Sequence, residues 1–269
     1  MSKSVYPVRA VLTIGGSDSG GCAGIQADLK TFLSLKVHGC SAITCITSQN
    51  TEGVERIDTL PTNATKDQIN AISKDIDLQA IKTGMLLNAS IIEEVSKEIR
   101  KINVPKVIDP VMVSRTGSLL LEKKAISAYK SELFNQAYLL TPNIYEASIL
   151  SDIEIRSEKD MEKASDKILK MGCQATLIKG GGIDMLKGTD FYKDIDGNKK
   201  WLKSKKIDTN NNNGSGCTLS ASIASYLALG KSLNESLTLS KAYINKAIKL
   251  SLDIGSGSGP LCHWHTFEK

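Results

Sequence analysis

The sequence predicts an α/β fold with one mostly parallel central sheet and helices on both faces. Short β-branched apolar runs alternate with longer segments of helical periodicity, which is typical of a parallel sheet covered by helices. The chain has 269 residues, enough to bury a substantial core in one α/β domain, and no segment has the composition of an interdomain linker. We therefore predict a single domain over residues 1–269.

The individual elements follow from apolar periodicity and from turn-forming residues. The predicted strands are residues 11–14, 42–47, 80–83, 107–109, 137–141 and 175–179. The predicted helices are residues 64–76, 90–102, 143–151, 157–171, 216–229 and 233–252. Residues 191–202 are expected to form a hairpin, with Asp196 and Gly197 as its turn.

Composition argues against several classes of function. The net charge of +5 comes from 34 basic and 29 acidic residues that are interleaved, which is typical of a solvated surface and not of a nucleic-acid-binding one. No apolar run approaches the roughly 20 residues of a membrane helix. The six cysteines form no CxxC motif or disulfide framework, which favours free thiols in a reducing compartment. We expect a cytoplasmic protein without nucleic-acid or membrane partners.

A glycine-flanked turn comes directly before the predicted helix at 216–229. Gly214, Ser215 and Gly216 lead into it, and Cys217 lies at its start. Glycine permits a tight turn and close approach to a ligand, and the unpaired N–H groups of a helix start attract anions such as phosphate. A thiol at this position is expected to have a lowered pKa and to act as a base or nucleophile. Taken alone, the segment fits equally well a glycine turn that caps an ordinary helix.

Polar residues lie at or just after several predicted strand ends. In open α/β sheets, ligands bind outside the carboxyl ends of the strands, so these side chains are expected to lie close together. They are Asp18, Gln49, Lys82, Asp109, Asn143 and Lys179. Neither a P-loop nor a G-x-G-x-x-G segment is present, which argues against a P-loop enzyme and a Rossmann dehydrogenase. The Cys-His-Trp-His run at 262–265 is not expected to bind metal, because its ligands are too close together to complete a tetrahedron.

An ordered set of motifs identifies a family that the chain resembles. Residues 11–31 contain glycines at 15, 16, 20, 21 and 24, and several short motifs follow in order. These are Gln49-Asn50-Thr51, Lys82-Thr83-Gly84-Met85, Asp109-Pro110-Val111-Met112-Val113, Thr141-Pro142-Asn143, Glu146 and Lys179-Gly180-Gly181. Together with the glycine-flanked turn, the set resembles the hydroxymethylpyrimidine (phosphate) kinases of thiamine biosynthesis, in the ribokinase-like superfamily.

The resemblance implies a ribokinase-like fold, use of ATP and Mg²⁺, a small pyrimidine substrate and a homodimer. It implies phosphorylation of 4-amino-5-hydroxymethyl-2-methylpyrimidine and then of its monophosphate. The catalytic residues would be Gly214, Ser215, Gly216 and Cys217, the first three through their backbone and Cys217 as a base. Substrate would be bound by Gln49, Gly16, Asp28, Met85 and Val111, and the nucleotide by Asp109, Asn143, Lys179, Gly180 and Lys241. Glu146 and Asp109 would support the metal.

Two alternatives stay open on the sequence. A pyridoxal or pyridoxine kinase of the same superfamily also acts on a ring hydroxymethyl group. Some of those enzymes resemble this chain but have a second cysteine after Val-Met-Val, where this chain has Ser114. A non-catalytic pyrimidine sensor belongs to a different class, and it would not need Asp109, Glu146, Lys179 and Cys217 together.

Overall fold

Nine strands form one sheet in the computed structural model, which describes residues 8–112 and 121–267. The strands are β1 (Ala10–Asp18), β2 (His38–Gln49), β3 (Val54–Thr59), β4 (Leu78–Thr83), β5 (Lys106–Ile108), β6 (Leu139–Leu140), β7 (Ala175–Lys179), β8 (Thr189–Asp194) and β9 (Lys199–Lys203). Their order is β3-β2-β1-β4-β5-β6-β7-β8-β9. The six central strands are parallel, and β3, β8 and β9 pair antiparallel at the two edges.

Eight α-helices of the described chain cover the two faces of this sheet. They are α1 (Gly24–Ser34), α2 (Thr62–Ser73), α3 (Ala89–Ile99), α4 (Lys123–Ala128), α5 (Ile144–Ser151), α6 (Glu158–Leu169), α7 (Ser215–Ala228) and α8 (Leu233–Lys249). A buried apolar cluster lies on each face of the sheet. Helices α2 to α6 pack on one face, and α1, α7 and α8 pack on the other. The predicted fold class is confirmed, with helices on both faces of a mostly parallel sheet.

Alternation along the strands assigns side chains to the two layers. In β1, Leu12 and Ile14 face α2 to α6, whereas Val11 packs in the cluster with α1, α7 and α8. Lys82 of β4 lies in register with Thr13 of β1, so both side chains point toward the α1 and α7 layer. The order of the sheet reverses direction between β1 and β4, which is where ligands bind in open α/β sheets.

The predicted elements match the observed ones, with differences at their ends. All six predicted strands and the hairpin are present, with the hairpin formed by β8 and β9. The last helix was predicted to residue 252 but ends at Lys249. Helix α1, the edge strand β3 and the short helix α4 have no counterpart among the predicted ranges. The strand β3 is exposed over most of its length, so it lacks the apolar signal that marks a buried strand.

Among residues 8–112 and 121–267, no helix combines the length and apolar character that a membrane crossing requires. Val113 of the Asp-Pro-Val-Met-Val motif and Ser114 lie outside the described residues.

Candidate active site

Two glycine segments, distant in sequence, touch at the carboxyl edge of the sheet. The first glycine segment is residues 15–24, and the second is residues 214–217. Gly214 has a φ of 81°, and a Cβ placed on it would lie 1.9 Å from the carbonyl oxygen of Cys22. Gly24 has a φ of 57°, and its Cβ would lie 2.4 Å from the carbonyl oxygen of Gly16. Only glycine fits such left-handed, closely packed positions, so the two segments depend on each other's shape.

Asp18 shapes the first glycine segment from the end of β1. Its Oδ1 accepts a hydrogen bond from the Gly20 N–H at 2.8 Å. Its Oδ2 accepts from the N–H groups of Cys22 at 3.0 Å and Ala23 at 2.7 Å. The sequence placed Asp18 among the polar side chains of the site, and the structure gives its carboxylate a role within the loop itself.

The second glycine segment leads into the N-terminus of α7. Among the described side chains, none caps this end of the helix, and its first turn contains no acidic residue. The N–H groups of the first turn have no intrahelical acceptor, and the helix dipole favours negative charge there. This end of α7 therefore has the features of an anion site, as the sequence predicts.

An ion pair connects this site to the neighbouring strand ends. Lys179 at the end of β7 lies 2.9 Å from Asp109 Oδ1, just after β5. Ser220 of α7 donates to Asp109 Oδ2 at 3.0 Å. A Cβ placed on Gly216 would lie 3.3 Å from Lys179 Nζ, so the lysine ammonium is next to the helix start. Burial acts against the charge of Lys179, but Asp109 and Glu146 raise its pKa overall. A fixed positive charge therefore adjoins the anion site.

Glu146 is buried beside this ion pair and is held by backbone donors. Its Oε2 accepts from the Asn143 N–H at 2.8 Å, and its Oε1 accepts from the Met112 N–H at 3.2 Å. The Asn143 side chain accepts in return from the N–H groups of Tyr145 and Glu146, completing a capping box. Burial raises the pKa of Glu146 to about 7, with Lys179 opposing and Asp109 adding to the rise.

The two acids suit Mg²⁺ held through water rather than by direct ligation. Carboxylate oxygens are the ligands that Mg²⁺ prefers, and this ion usually keeps several waters. The oxygens of Asp109 already accept from Lys179 and Ser220, and those of Glu146 accept from backbone N–H groups. Within the described ranges, no group of three or more His, Cys, Asp or Glu residues could hold a metal ion.

Cys217 lies in the first turn of α7, but its proton affinity differs from the sequence prediction. We expected the helix start to lower the pKa of the thiol. Burial instead raises the pKa of Cys217 to about 11. The positive charge of Lys82 lowers the pKa, whereas the negative charges of Asp28 and Asp109 raise it further. The expectation of an acidified thiol was wrong, because desolvation outweighs the helix terminus and the nearby lysine.

Asp28 forms a buried ion pair that the sequence did not predict. Its Oδ2 accepts from Lys82 Nζ at 2.7 Å and from Thr13 Oγ1 at 2.6 Å. The side chains of Asp28 and Lys82 are each 1% exposed. The sequence assigned Asp28 to substrate binding by resemblance and listed Lys82 only as a strand-end polar residue. Their pairing arises only when α1 packs on the sheet over β1 and β2, for which no local sequence signal exists.

The residues expected to bind substrate lie at neighbouring strand ends. A Cβ on Gly16 would lie 2.8 Å from Met85 Cε and 2.9 Å from Cys45 Sγ, so these three residues are in contact. Gln49 ends β2 and is half-buried. Its backbone is fixed by Ser19, which donates to the Gln49 carbonyl oxygen at 2.7 Å and accepts from the Gln49 N–H at 2.8 Å.

Val111 and Gln49 each form a hydrogen bond with a residue two positions earlier in the chain. Val111 is half-buried and follows Asp109, and its N–H donates to the Asp109 carbonyl oxygen at 2.9 Å. The Gln49 Oε1 accepts from Thr47 Oγ1 at 3.3 Å. The binding roles of Gln49, Gly16, Met85 and Val111 stay predictions.

Lys241 of α8 was expected near the nucleotide, and the structure places it in an ion pair. Its Nζ lies 2.7 Å from Asp190 Oδ2, and both side chains are largely buried. Asp190 Oδ1 accepts from the Gly180 N–H at 3.2 Å. A Cβ on Gly180 would lie 2.3 Å from the Thr189 carbonyl oxygen, so this position requires glycine. Lys241 therefore supports the turn that follows Lys179.

Comparison with known proteins tests the resemblance that the motifs suggest. The family model described as phosphomethylpyrimidine kinase matches residues 18–262, which include most of the first glycine segment, all of the second and the Asp109–Lys179 pair. The chain belongs to the phosphomethylpyrimidine kinase family. The predicted family is confirmed.

Individual members of this family match almost the whole chain. A hydroxymethylpyrimidine/phosphomethylpyrimidine kinase of Synechococcus elongatus is 46% identical over 260 residues, which cover 96% of this chain and 98% of that protein. The crystal structure of phosphomethylpyrimidine kinase from Clostridium difficile 630 is 41% identical, with a TM-score of 0.80, and the match covers 90% of this chain and all of that one.

A pyridoxal kinase has a similar structure as well. The ADP complex of Bacillus subtilis pyridoxal kinase is 36% identical, with a TM-score of 0.87, and the match covers 96% of this chain and 98% of that chain. The phosphomethylpyrimidine kinase family therefore shares its fold with a kinase that is named for a different substrate, pyridoxal. The site residues, and not the fold, have to decide between the two substrates.

The C-terminal Cys-His-Trp-His run lies at the end of the family match and packs against α7. His263 Nε2 lies 3.0 Å from Thr218 Oγ1, one residue after Cys217. The His265 ring lies 4.7 Å from the Tyr243 ring of α8. Burial lowers the pKa of His263 to about 4. The two buried histidines of the run are therefore held by contacts with α7 and α8, whereas Trp264 is exposed.

Proposed function

We propose that this protein transfers the γ-phosphoryl group of ATP to the hydroxymethyl group of 4-amino-5-hydroxymethyl-2-methylpyrimidine. In a second reaction it phosphorylates the monophosphate to the diphosphate, as a step of thiamine biosynthesis. One observation carries the proposal. The two glycine segments meet at the start of α7 beside Lys179, which provides backbone donors and a positive charge for a phosphoryl group.

The phosphoryl group is stabilised mainly by position and charge, as in phosphoryl transfer generally. The N–H groups of Gly214, Gly216 and Cys217 would donate to the γ-phosphoryl oxygens. The Ser215 N–H donates to the Asn212 carbonyl oxygen at 3.2 Å, so Ser215 would contribute by shaping the turn. Lys179 adds a point charge toward the nucleotide phosphates, and Asp109 holds its ammonium in place. Asn143, Gly180 and Lys241 shape the nucleotide side of the site through their helix cap, turn and ion pair. The structurally similar pyridoxal kinase of Bacillus subtilis was crystallised with ADP, which supports the proposal that this chain binds an adenine nucleotide.

Magnesium would be held by Asp109 and Glu146 through water. When bound, Mg²⁺ neutralises charge on the nucleotide phosphates. The backbone donors to Glu146 fix its orientation beside Asp109, and Lys179 balances part of the negative charge of the two acids.

Cys217 takes the proton from the attacking alcohol in this proposal. The alcohol oxygen bonds to the γ-phosphorus, its proton passes to Cys217 Sγ, and ADP leaves. The raised pKa means that the resting group is a thiol at neutral pH, so the thiolate is a minor but strongly basic form. In the competing account, the Cys217 backbone N–H supports the anion site and its side chain has little effect.

The pyrimidine would lie between the ends of β2, β4 and β5. The Gln49 carboxamide offers both a donor and an acceptor to an aminopyrimidine edge. Met85 and Val111 would contact the ring, and Gly16 would leave space for it. Pyridoxine is the second candidate substrate, because the Bacillus subtilis pyridoxal kinase is similar over nearly the whole chain.

We further propose one domain over residues 1–269, a homodimer, and a cytoplasmic location. All six cysteines are free thiols, which supports a reducing compartment.

Release of ADP separates this enzyme from a pyrimidine sensor. The purified chain is incubated with ATP and Mg²⁺, with or without the pyrimidine, and ADP is measured by a coupled assay. We expect ADP to be released only when the pyrimidine is present. In the Glu146→Gln variant, the Mg²⁺ concentration that gives half of the maximal rate should be higher than in wild type. Pyrimidine binding by calorimetry without any ADP release would instead identify a sensor.

A further inference from the structure

We propose that Thr51 and Ser258 are positioning residues: through them, the loop at residues 253–259 fixes the turn at the start of α7 relative to the end of β2. The loop follows α8 and contacts two segments of the site. One is Thr51, two residues after Gln49, and the other is the asparagine run at residues 210–213, which leads into the glycine-flanked turn. The inference rests on the proposed function only for what the two segments bind, and the connection itself can be measured without turnover.

Thr51 contacts the loop through both its backbone and its side chain. Its carbonyl oxygen accepts from the Ser258 N–H at 2.9 Å, and its Oγ1 accepts from the Gly257 N–H at 3.2 Å. A Cβ placed on Gly257 would lie 2.1 Å from the Thr51 carbonyl oxygen, and a Cβ on Gly255 would lie 2.2 Å from Thr51 Oγ1. Because these two positions have no room for a side chain, the loop packs directly on Thr51.

The other side of the loop is bonded to the asparagine run. Ser258 Oγ donates to the Asn210 carbonyl oxygen at 2.6 Å and accepts from the Asn212 N–H at 3.5 Å. The Gly259 carbonyl oxygen accepts from the Asn213 N–H at 3.2 Å. Ser258 is 5% exposed, so these bonds are shielded from water. One buried serine therefore binds Thr51 through its N–H and the asparagine run through its hydroxyl.

The asparagine run extends this connection to α7. The Asn212 carbonyl oxygen accepts from the N–H of Ser215, the first residue of α7, at 3.2 Å. Asn213 directly precedes Gly214, which packs against the first glycine segment. Together with the Ser258 bonds, these contacts give a continuous connection from the end of β2 to the proposed phosphoryl site.

The relative position of these two segments matters for phosphoryl transfer. The attacking oxygen and the γ-phosphorus belong to different ligands, and a misplacement of about 1 Å can lower the rate by about 10²-fold. Each segment still binds its own ligand when the connection between them is weakened. We therefore expect the connection to act on kcat and not on the KM of either substrate.

Amide hydrogen exchange without ligands tests the connection across the loop. Thr51→Val keeps a branched side chain of similar size but removes the acceptor of the Gly257 N–H, whereas Thr51→Ser keeps that acceptor. The amides that are read belong to residues 211–213, across the loop from Thr51. In Thr51→Val they should exchange about three- to tenfold faster than in wild type, as expected for loss of one hydrogen bond, and in Thr51→Ser at the wild-type rate.

Ser258→Ala tests the same connection in the other direction. This variant keeps the N–H that binds Thr51 and loses the hydroxyl bonds to the asparagine run. Exchange at residues 50–53 should become about three- to tenfold faster. Ser256→Ala removes an exposed serine of the same loop and should change exchange in neither segment. Equal exchange at residues 211–213 in Thr51→Val and Thr51→Ser, with native circular dichroism spectra, would overturn the proposal.

A kinetic arm separates this inference from the proposed function. If the kinase activity is present, Thr51→Val and Ser258→Ala should each lower kcat about three- to tenfold, with the KM of both substrates within about twofold of wild type, and Thr51→Ser should restore kcat. The double variant should be no more than about twofold slower than the slower single variant, because both break one connection. A raised pyrimidine KM with unchanged kcat in Thr51→Val would contradict the positioning role. If no kinase activity exists, the exchange rates still decide whether the loop connects the two segments.

Discussion

Cys217 is the residue on which the chemical proposal depends most. Its position at the start of α7 follows from the local sequence, because Gly214 and Gly216 flank the turn and small apolar residues follow. Its proton affinity does not follow, because it depends on burial and on Lys82 and Asp28, which are 54 residues apart in sequence. Local motifs therefore predict where a reactive group lies, but not its pKa.

The base role of Cys217 predicts a large kinetic effect. Cys217→Ala should lower kcat by about 10²–10⁴, the usual range for loss of a general base, whereas Cys217→Asp should keep appreciable activity. A base must be deprotonated to act, so with a pKa of about 11 the wild-type kcat/KM should rise with pH from 7 toward 10. Cys217→Asp should remove this rise. A Cys217→Ala enzyme within about threefold of wild type would support the backbone account instead.

Gln49 is the residue expected to distinguish the pyrimidine. Gln49→Leu should weaken pyrimidine binding by about 1–3 kcal/mol, because a polar group of the ring loses its partner, while ATP binding barely changes. Gln174→Leu, at an exposed position before β7, is the matched control. Isothermal titration calorimetry measures both ligands, and an unchanged pyrimidine affinity in Gln49→Leu would remove this residue from the site.

Among the secondary-structure elements, the buried strands were the most predictable from the sequence, and the edge strand β3 was the least predictable. Apolar β-branched runs predicted β1, β2, β4, β5, β6 and β7, since burial on both faces requires them. The edge strand β3 contains mostly exposed side chains, so the sequence has no comparable signal there. The ion pairs Asp28–Lys82 and Lys241–Asp190 join residues from separate elements and arise only when helices pack on the sheet.

The contact between the two glycine segments gives a prediction with an internal control. Gly214 and Gly230 lie at the two ends of α7 with the same φ of 81°. An alanine Cβ at 214 would lie 1.9 Å from the Cys22 carbonyl oxygen, whereas at 230 it would meet nothing within 4 Å. Gly230→Ala should therefore cost only the left-handed strain of about 1–2 kcal/mol in the free energy of unfolding and leave kcat unchanged.

Gly214→Ala should cause the same left-handed backbone strain as Gly230→Ala. In addition, its Cβ should push the two glycine segments apart. We expect kcat/KM to fall by at least about tenfold, because small misplacements of the phosphoryl site have large effects on rate. Urea unfolding and steady-state kinetics measure both variants. Equal kinetics for Gly214→Ala and Gly230→Ala would show that the contact between the segments is not needed.

At the scale of the whole molecule, the C-terminal segment is attached to α7 through His263. Burial holds its pKa near 4 in the folded state, below the ordinary 6.5 of the unfolded chain. The unfolded chain therefore binds a proton first as the pH falls, and stability present above pH 6.5 is lost between 6.5 and 4. The shift corresponds to at most about 3 kcal/mol.

Replacement of His263 should reduce this pH dependence. Urea unfolding at pH 7 and pH 4.5 should show a smaller difference for His263→Asn than for wild type, and His38→Asn, at an exposed position, should behave as wild type. An equal loss of stability in all three proteins would assign the acid sensitivity to other groups.

The site described above is proposed to phosphorylate the hydroxymethyl group of a pyrimidine. The most direct measurement offers 4-amino-5-hydroxymethyl-2-methylpyrimidine and pyridoxine together at equal concentrations, with ATP and Mg²⁺, and identifies the products by mass spectrometry. We predict that the pyrimidine monophosphate forms first and the diphosphate follows, with pyridoxine phosphate as a minor product. Pyridoxine phosphate as the dominant product, with no pyrimidine diphosphate, would contradict the account.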